Sequence, residues 1–343
     1  MTTAPSGPSA AAGGPLPGPL THSEMATFRT CRRRWHWYYR ERYAPRPESR
    51  PATSVAQLGT NTHLALEGHY TGLDAFDVIA TVYNDLQDRR PEDHHTIALE
   101  RSYVFTMVKG YLEWVAETGV DAQYRVVATE HDTSAPIVLM TGETIMLRGK
   151  LDQVVERRDG SGARLVRDFK TVDALTKADG LARDTQMRTY DLLHTLSTPD
   201  HITDGVLYTM LVRSKRTARA TPPFFEAVHQ VYNDSDRQST LEAVRGTARD
   251  IMAVDAQLAA GEPPQRVVYA NPGAYCAWAC PYTSVCTLAD DGSRLADALA
   301  DNFVISDPWD HYGTARMDAI RAALGGTVGT AGSDPVQEGT AGG

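Results

Sequence analysis

The 343-residue sequence predicts an α/β fold, and three observations lead to it. Residues 23–117 read as helices broken at prolines. From Tyr124 the pattern changes to short β-branched runs separated by turn residues. A helix, two strands and a further helix then follow up to about Ala260.

Taken in order, residues 1–20 are mostly Ala, Gly, Pro, Ser and Thr and read as a disordered tail, not a signal peptide. Ser23 can N-cap a helix with Glu24 in its first turn, running to about Tyr39 and carrying Cys31. Pro45, Pro47 and Pro51 break the chain. A second helix starting at Thr60 to Thr62 carries His63 and Glu67 one turn apart. Helix continues from Ala75 to Glu117 with an interruption near Pro91. Strands are predicted from Tyr124 to His131, Ile137 to Met140, Thr144 to Arg157 and Arg164 to Thr171. Hairpins pair them, one turning at Asp159-Gly160-Ser161-Gly162. A helix from about Lys177 to Leu196, strands from Gly205 to Arg213 and Phe224 to Tyr232, and a helix from about Arg237 to Ala260 complete the body. The body spans residues 21–290, followed by a short helical extension over 291–324 and a Gly/Ala/Thr-rich tail over 325–343 that is expected to be disordered.

Bulk properties exclude several classes. No apolar run approaches the roughly 20 residues of a membrane helix. No G-x-x-x-x-G-K-[ST] loop is present, so no P-loop motor is built in. The expected location is a reducing cytoplasm, where thiols favour metal ligation over disulfides. Net charge is -9, but nine acids against three bases lie from Thr287 onward. Bases cluster at Arg29, Arg32, Arg33, Arg34, Arg40 and Arg42, and again at Arg213, Lys215, Arg216 and Arg219. Such local patches either contact phosphate or form solvated faces.

The chemistry-bearing residues lie between these ends. Asp168 and Lys170 flank Phe169 on one predicted strand, so their side chains share a face. Asp152, in Gly149-Lys150-Leu151-Asp152, lies on the preceding strand of the hairpin. Pairing would bring Asp152 and Asp168 to metal-bridging distance, with His63 as a third ligand. Oxygen-rich donors with open positions suit Mg²⁺ or Mn²⁺. Lys170 would orient a water or stabilise transition-state charge. Glu67 and Glu130 are weaker candidates, Glu130 as an outer acid behind the ligands. Gln186 and Tyr190, four apart on the next helix, share a face and can contact phosphate or base. Each piece has a plain alternative: a surface ion pair for Asp168 and Lys170, a core histidine for His63, packing for Gln186 and Tyr190.

All four cysteines fall into one pattern: Cys31 alone, then Cys276, Cys280 and Cys286 as C-x₃-C-x₅-C. Four thiolates select zinc or an iron–sulfur cluster. Zinc sites use two close pairs, whereas here the split is one plus three, which favours a [4Fe–4S] cluster. Four unrelated buried cysteines is the alternative.

In order, Cys31, Gly59-Thr60-Asn61-Thr62-His63, Gly149-Lys150-Leu151-Asp152, Asp168-Phe169-Lys170, Gln186-Met187-Arg188-Thr189-Tyr190, Cys276, Cys280-Pro281 and Cys286 resemble the RecB-like clade of PD-(D/E)XK nucleases. The likeness is to its iron–sulfur branch, which includes the AddB nuclease domain and CRISPR-associated exonucleases, and it spans about Ser23 to Cys286. Leu151 stands where the family usually has proline. The resemblance implies a restriction-endonuclease-like mixed sheet flanked by helices. The N-terminal helix and C-terminal segment would be joined by a cluster on Cys31, Cys276, Cys280 and Cys286. His63, Asp152 and Asp168 would be metal ligands, with Asp152, Asp168 and Lys170 catalytic. Gln186 and Tyr190 would be the Q-x-x-x-Y element that holds DNA.

The expected activity is metal-dependent exonucleolytic hydrolysis of single-stranded DNA or duplex ends, in recombination, repair or CRISPR-type processing. The resemblance leaves room for a helicase or recombination partner and for an oligomer, and none for a membrane. Two other readings stand beside it: a non-catalytic nuclease-like module that clamps DNA or a helicase, and a zinc-stabilised enzyme of another class.

Overall fold

Strand β1 (Leu20–Thr21) opens the computed structural model, which describes residues 16, 18–175, 178–214, 216 and 219–325. The two tails and Lys215 lie almost wholly outside the described residues. Helix α1 (His22–Thr30) begins where the Thr21 hydroxyl accepts the Glu24 N–H at 3.1 Å, so Thr21 rather than Ser23 is the cap. The expected single helix to Tyr39 breaks at Cys31, which is extended (φ -161°, ψ 113°). Helix α2 (Arg32–Trp35) then runs into a π-helical turn at His36–Arg40. Cys31 therefore stands at a kink between two helices.

After β2 (Tyr43–Pro45), helices α3 (Val55–Tyr70), α4 (Ala75–Arg89) and α5 (His94–Thr118) pack together. Ser54 caps α3 by accepting the Gln57 N–H at 3.0 Å, so this helix starts ahead of Thr60. Asp74 caps α4, and Gly119 (φ 64°) closes α5 in the left-handed conformation glycine favours. Among the described residues no helix is long and apolar enough to cross a membrane.

The sheet is built from β3 (Tyr124–Val138), β4 (Thr144–Arg157) and β5 (Arg164–Val172). Short α6 (Ala178–Leu181) and then α7 (Thr185–Ser197) lead to β6 (Thr203–Val212) and β7 (Phe225–Gln230). The two strands expected before residue 141 are one long strand, β3. Among the described residues it bonds only to β4, and an edge strand tolerates Pro136, which has no N–H to offer the ladder. The helix expected from Lys177 divides at Asp184, whose carboxylate accepts the N–H groups of Gln186 (2.8 Å) and Met187 (3.3 Å) and so restarts the helix as α7. Lys177 itself lies outside the described residues.

Six strands form the mixed sheet. β4 pairs antiparallel with β3 along its length, antiparallel with β5 at residues 153–156, and parallel with β1 at Leu147 and Arg148. β5 and β6 run parallel, joined by the helical crossover, and β7 returns antiparallel to β6. Helices cover both faces. Val166, Tyr208 and Leu151 pack against Met187 and Tyr190 of α7. Phe169 and Leu211 pack against Leu66 of α3 and Tyr111 of α5. Burial of a ring such as Phe169 stabilises by about 1.5–3 kcal/mol, so this alternation fixes which face Asp168 and Lys170 take.

Long α8 (Asp234–Ala259) lies against α1 and α7. The cysteine segment follows as α9 (Pro264–Val267), α10 (Tyr275–Trp278) and α11 (Thr283–Cys286). The C-terminal stretch contains α12 (Leu295–Asn302), β8 (Phe303–Ile305) and α13 (Ala315–Ala323). It is not purely helical, since β8 pairs antiparallel with β2 in a second, two-stranded sheet.

Candidate active site

The site begins where two strands part. β4 and β5 are bonded as far as Gln153 and Arg167, and beyond that pair they diverge. Continued pairing would have matched Phe169 with Leu151. Instead the Phe169 N–H donates to Asp152 Oδ2 at 2.8 Å. A buried N–H needs a partner, and here a carboxylate replaces the missing ladder bond. The same Oδ2 lies 3.3 Å from His63 Nδ1 on α3. Helix α3 comes close because Gly59, one turn before His63, has no side chain: a Cβ there would sit 3.3 Å from Thr171 Oγ1.

Asp168 and Lys170 share the α7 face. Asp168 is 2% exposed. Lys170 Nζ lies 2.9 Å from Asp168 Oδ2 and donates to Gln186 Oε1 at 2.9 Å. Gln186 Nε2 in turn donates to the Tyr190 hydroxyl at 3.2 Å. Gln186 and Tyr190 are thus linked to the lysine through one chain of contacts. Beyond its ion pair with Lys170, Asp168 Oδ2 has no hydrogen-bond partner. Gly149 on β4 lets this assembly close, since a Cβ there would stand 3.2 Å from the Tyr190 ring and 2.8 Å from Leu193.

Glu130 takes a larger part than its expected outer position. It stands opposite Asp152, between the pairs Thr129–Gln153 and His131–Leu151, with a positive φ of 49°. That conformation is uncommon outside glycine and is retained where surroundings hold it. One ligand atom each from His63, Glu130 and Asp152 falls within 4.8 Å of the others. Asp168, expected in the ligand set, is not in this group and is engaged by Lys170. Lys150 pairs with Glu130 at 2.7 Å.

The electrostatics are those of crowded acids. Burial raises Asp168 to about 6, and Asp152 adds to the shift against the opposing pull of Lys170. Burial also lifts Glu67 to about 7, with Glu130 adding to it. Glu130 is raised by burial and by Asp152. Burial would depress His63, but the Asp152 carboxylate and its hydrogen bond carry it up to about 9. Asp152 goes the other way: burial opposes ionisation, and His63, Lys170 and the Phe169 N–H outweigh it. The clustered carboxylates of Glu130 and Asp152 and the His63 imidazole fit a hard divalent cation such as Mg²⁺ or Mn²⁺.

The four cysteine thiols are free of disulfides and all line one cavity of about 480 Å³ between the α1–α2 kink and the 270–290 segment. No three of the sulfurs lie within 4.8 Å of one another. Tetrahedral zinc at about 2.3 Å per Zn–S bond would hold sulfurs about 3.8 Å apart. Cys31 Sγ accepts the Asn271 N–H and Cys286 Sγ accepts from Arg33 Nη1, both at 3.5 Å. Arg33 also clamps Asp290 at 2.6 and 2.8 Å. Much of the first basic patch is thereby spent inside the protein. Arg40 pairs with Glu24 and Asp255, each at 2.9 Å, and Arg32 and Arg34 lie over aromatic rings. In the second patch Arg213 pairs with Asp173 at 2.7 Å and Arg216 covers Phe224.

The cleft that holds His63, Asp152 and Gln186 has a volume of about 690 Å³. Asp310, Tyr312, Thr314 and Arg316 also line it, and no motif in the sequence pointed to them.

A sequence model described as the PD-(D/E)XK nuclease superfamily matches residues 19–287. No curated protein matches the chain. Among solved structures, one titled "Crystal structure of SSO0001" is similar at 14% identity over 47% of this chain and 69% of that chain, with a TM-score of 0.26.

Proposed function

This chain belongs to the PD-(D/E)XK nuclease superfamily, and from that premise we propose that it is a divalent-metal-dependent exonuclease acting on single-stranded DNA or duplex ends. The observation that carries this reading is the divergence of β4 from β5, which leaves Asp152 beside His63 in a cleft also lined by Gln186, the hydrogen-bond partner of Lys170.

His63, Asp152 and Asp168 would hold the cation, with Glu130 as a further donor on the His63 side. The bound ion would supply polarisation of a phosphoryl oxygen and a more acidic water. Lys170 places a positive charge beside Asp168, where negative charge develops on a phosphate during attack. Gln186 keeps the ammonium from swinging away, and the Tyr190 hydroxyl orients Gln186. Asp152 holds His63 by their ion pair and the strand gap by the Phe169 N–H.

The four thiolates of Cys31, Cys276, Cys280 and Cys286 would hold a [4Fe–4S] cluster with a structural role. What supports a shared group is that all four thiols are free of disulfides and line one cavity. The cluster would tie the α1–α2 kink to the 276–286 segment.

A digestion time course on end-labelled single- and double-stranded DNA, with Mn²⁺ and with chelator, tests the activity. Mn²⁺-dependent loss of nucleotides from a terminus supports it, and intact DNA under both conditions refutes it. Anaerobically purified protein should carry a visible thiolate-to-iron band with matching iron and sulfide. A colourless protein with stoichiometric zinc would refute the cluster.

A further inference from the structure

The candidate cleft is lined by the acids Glu67, Glu130, Asp152 and Asp310 and by the bases His63, Lys150 and Arg316. Two of the bases are matched within it: Lys150 lies 2.7 Å from Glu130, and His63 lies 3.3 Å from Asp152. Arg316 opens α13, outside the matched residues 19–287, and forms no ion pair among the described residues. Its nearest acid in sequence, Asp318, is engaged elsewhere. It accepts from Thr314 Oγ1 at 2.7 Å and lies 3.9 Å from Arg321.

One N–H of this guanidinium holds the side chain in place. Arg316 Nη2 donates to Asn61 Oδ1 at 3.0 Å. Asn61 is 2% exposed and is fixed in turn: Gln57 Nε2 donates to the same oxygen at 3.0 Å, and Asn61 Nδ2 donates to Glu100 Oε1 at 3.4 Å. A guanidinium carries its N–H donors in a planar fork, and the others on Arg316 have no hydrogen-bond partner among the described residues. Partial desolvation, then the Arg89 charge, holds Arg316 below the usual arginine value, and Asp85, which opposes them, is itself paired with Arg89. A positioned guanidinium short of an anion, on the wall of an otherwise acidic cleft, suits bidentate recognition of a phosphate. Asn61 precedes His63 by two residues, about 3 Å along the axis of α3. The guanidinium is therefore held next to the candidate cation site without being part of it.

We propose that Arg316, held in place by Asn61, binds a phosphate of the nucleic-acid strand that flanks the scissile one. This rests on the nuclease reading above and gives the C-terminal segment a share in gripping the substrate. The cation and Lys170 serve the phosphate under attack, and Arg316 fixes its neighbour.

The test uses the full-length protein and labelled single-stranded DNA in which one phosphate at a time is replaced by an uncharged methylphosphonate. Binding is followed in Ca²⁺ and cleavage in Mn²⁺. The parent should lose about tenfold or more in affinity when one phosphate beside the cleavage position is neutralised. Arg316→Gln should bind the unmodified strand weaker by about the same factor and show no further loss at that position. Its log–log salt dependence should be shallower by about 0.7. Arg316→Lys keeps the charge without the fork and should restore the slope with only part of the affinity. A purely structural role would weaken every position alike and leave the slope unchanged. Equal methylphosphonate profiles and equal slopes for parent and Arg316→Gln overturn the proposal. If Asp168-dependent cleavage persists in that case, the nuclease reading stands without the contact. Arg316-dependent binding with no cleavage by the parent keeps the phosphate contact and removes the nuclease reading. Absence of both binding and cleavage removes both.

Discussion

The backbone N–H of Phe169 is bonded to the carboxylate of Asp152 at 2.8 Å, across strands that have already separated. One side chain thus ends the β4–β5 ladder and presents its charge to His63 at 3.3 Å. Strand geometry and site chemistry depend on the same carboxylate oxygen, Oδ2.

Asp152→Asn separates those roles. The amide still accepts the Phe169 N–H, so the strand gap should persist, but the charge facing His63 is gone. His63 should fall from about 9 toward the ordinary 6.5, and Mn²⁺-dependent cleavage should drop by about a hundredfold or more. NMR titration of the His63 ring checks the first and initial rates the second. An unchanged imidazole titration would show that Asp152 does not set it.

Lys170→Met leaves Asp168 buried without its counter-charge. Asp168 titrates near 6 in the fold against 3.8 ordinarily, so its contribution to stability is full below the ordinary value and is lost as pH rises through 6. Removing Lys170, which lowers Asp168, should deepen that loss and extend it to higher pH. Thermal unfolding of metal-free protein from pH 4.5 to 8 should show Lys170→Met falling more steeply than the parent, with Asp168→Asn/Lys170→Met losing that added slope and keeping only the part set by groups such as Glu67 and His63. Cleavage by Lys170→Met should drop by roughly 10²–10⁴. Parallel stability curves for parent and single variant would contradict the pairing.

Cation binding should release protons. With His63 raised to about 9, its ring is charged at pH 7.5 in the metal-free protein, yet only the neutral imidazole ligates. The raised value also means that the His63–Asp152 pair stabilises the fold up to the ordinary 6.5 and is lost as pH rises through 9. Titration of Mn²⁺ by calorimetry in buffers of different ionisation enthalpy should give about one proton released at pH 7.5, and almost none for His63→Ala. Buffer-independent heats for the parent would place the cation away from His63.

At the thiol cavity, if the proposed cluster is bound, Cys31→Ser should abolish its visible band and lower the melting temperature, because it would remove the one thiol that the α1–α2 kink brings to the cavity. Arg33→Ala keeps all four thiols but removes the donor to Cys286 and the clamp on Asp290. It should retain the band and weaken cluster retention by about 10–100-fold, read as the rate of bleaching by chelator. Equal bleaching of parent and Arg33→Ala would assign Arg33 to packing alone.

Much of this architecture was legible in sequence, and the exceptions have physical causes. The strand Thr144–Arg157 has the bounds the β-branched run suggested, because turn residues mark both ends. Asp168 and Lys170 share a face because strand period leaves no alternative. The break at Cys31 was not legible, since Arg32 to Tyr39 continues a helical pattern and only the fold pulls Cys31 into extended backbone. Glu130 was underrated because no local signal marks its left-handed φ, which interrupts the β3–β4 ladder opposite Asp152. The part of the cleft wall formed by Asp310 and residues 312–317 was invisible for a similar reason. A helix such as Ala315–Ala323 shows that it has an apolar face, not that α3 and α4 are what receive it.

The most direct test of the central claim is cleavage of end-labelled single-stranded DNA in Mn²⁺ by purified protein with and without Asp168→Ala. The account predicts metal-dependent shortening by the parent and a loss of about a hundredfold or more in the variant, with DNA binding in Ca²⁺ retained. Equal rates for the two proteins would contradict it.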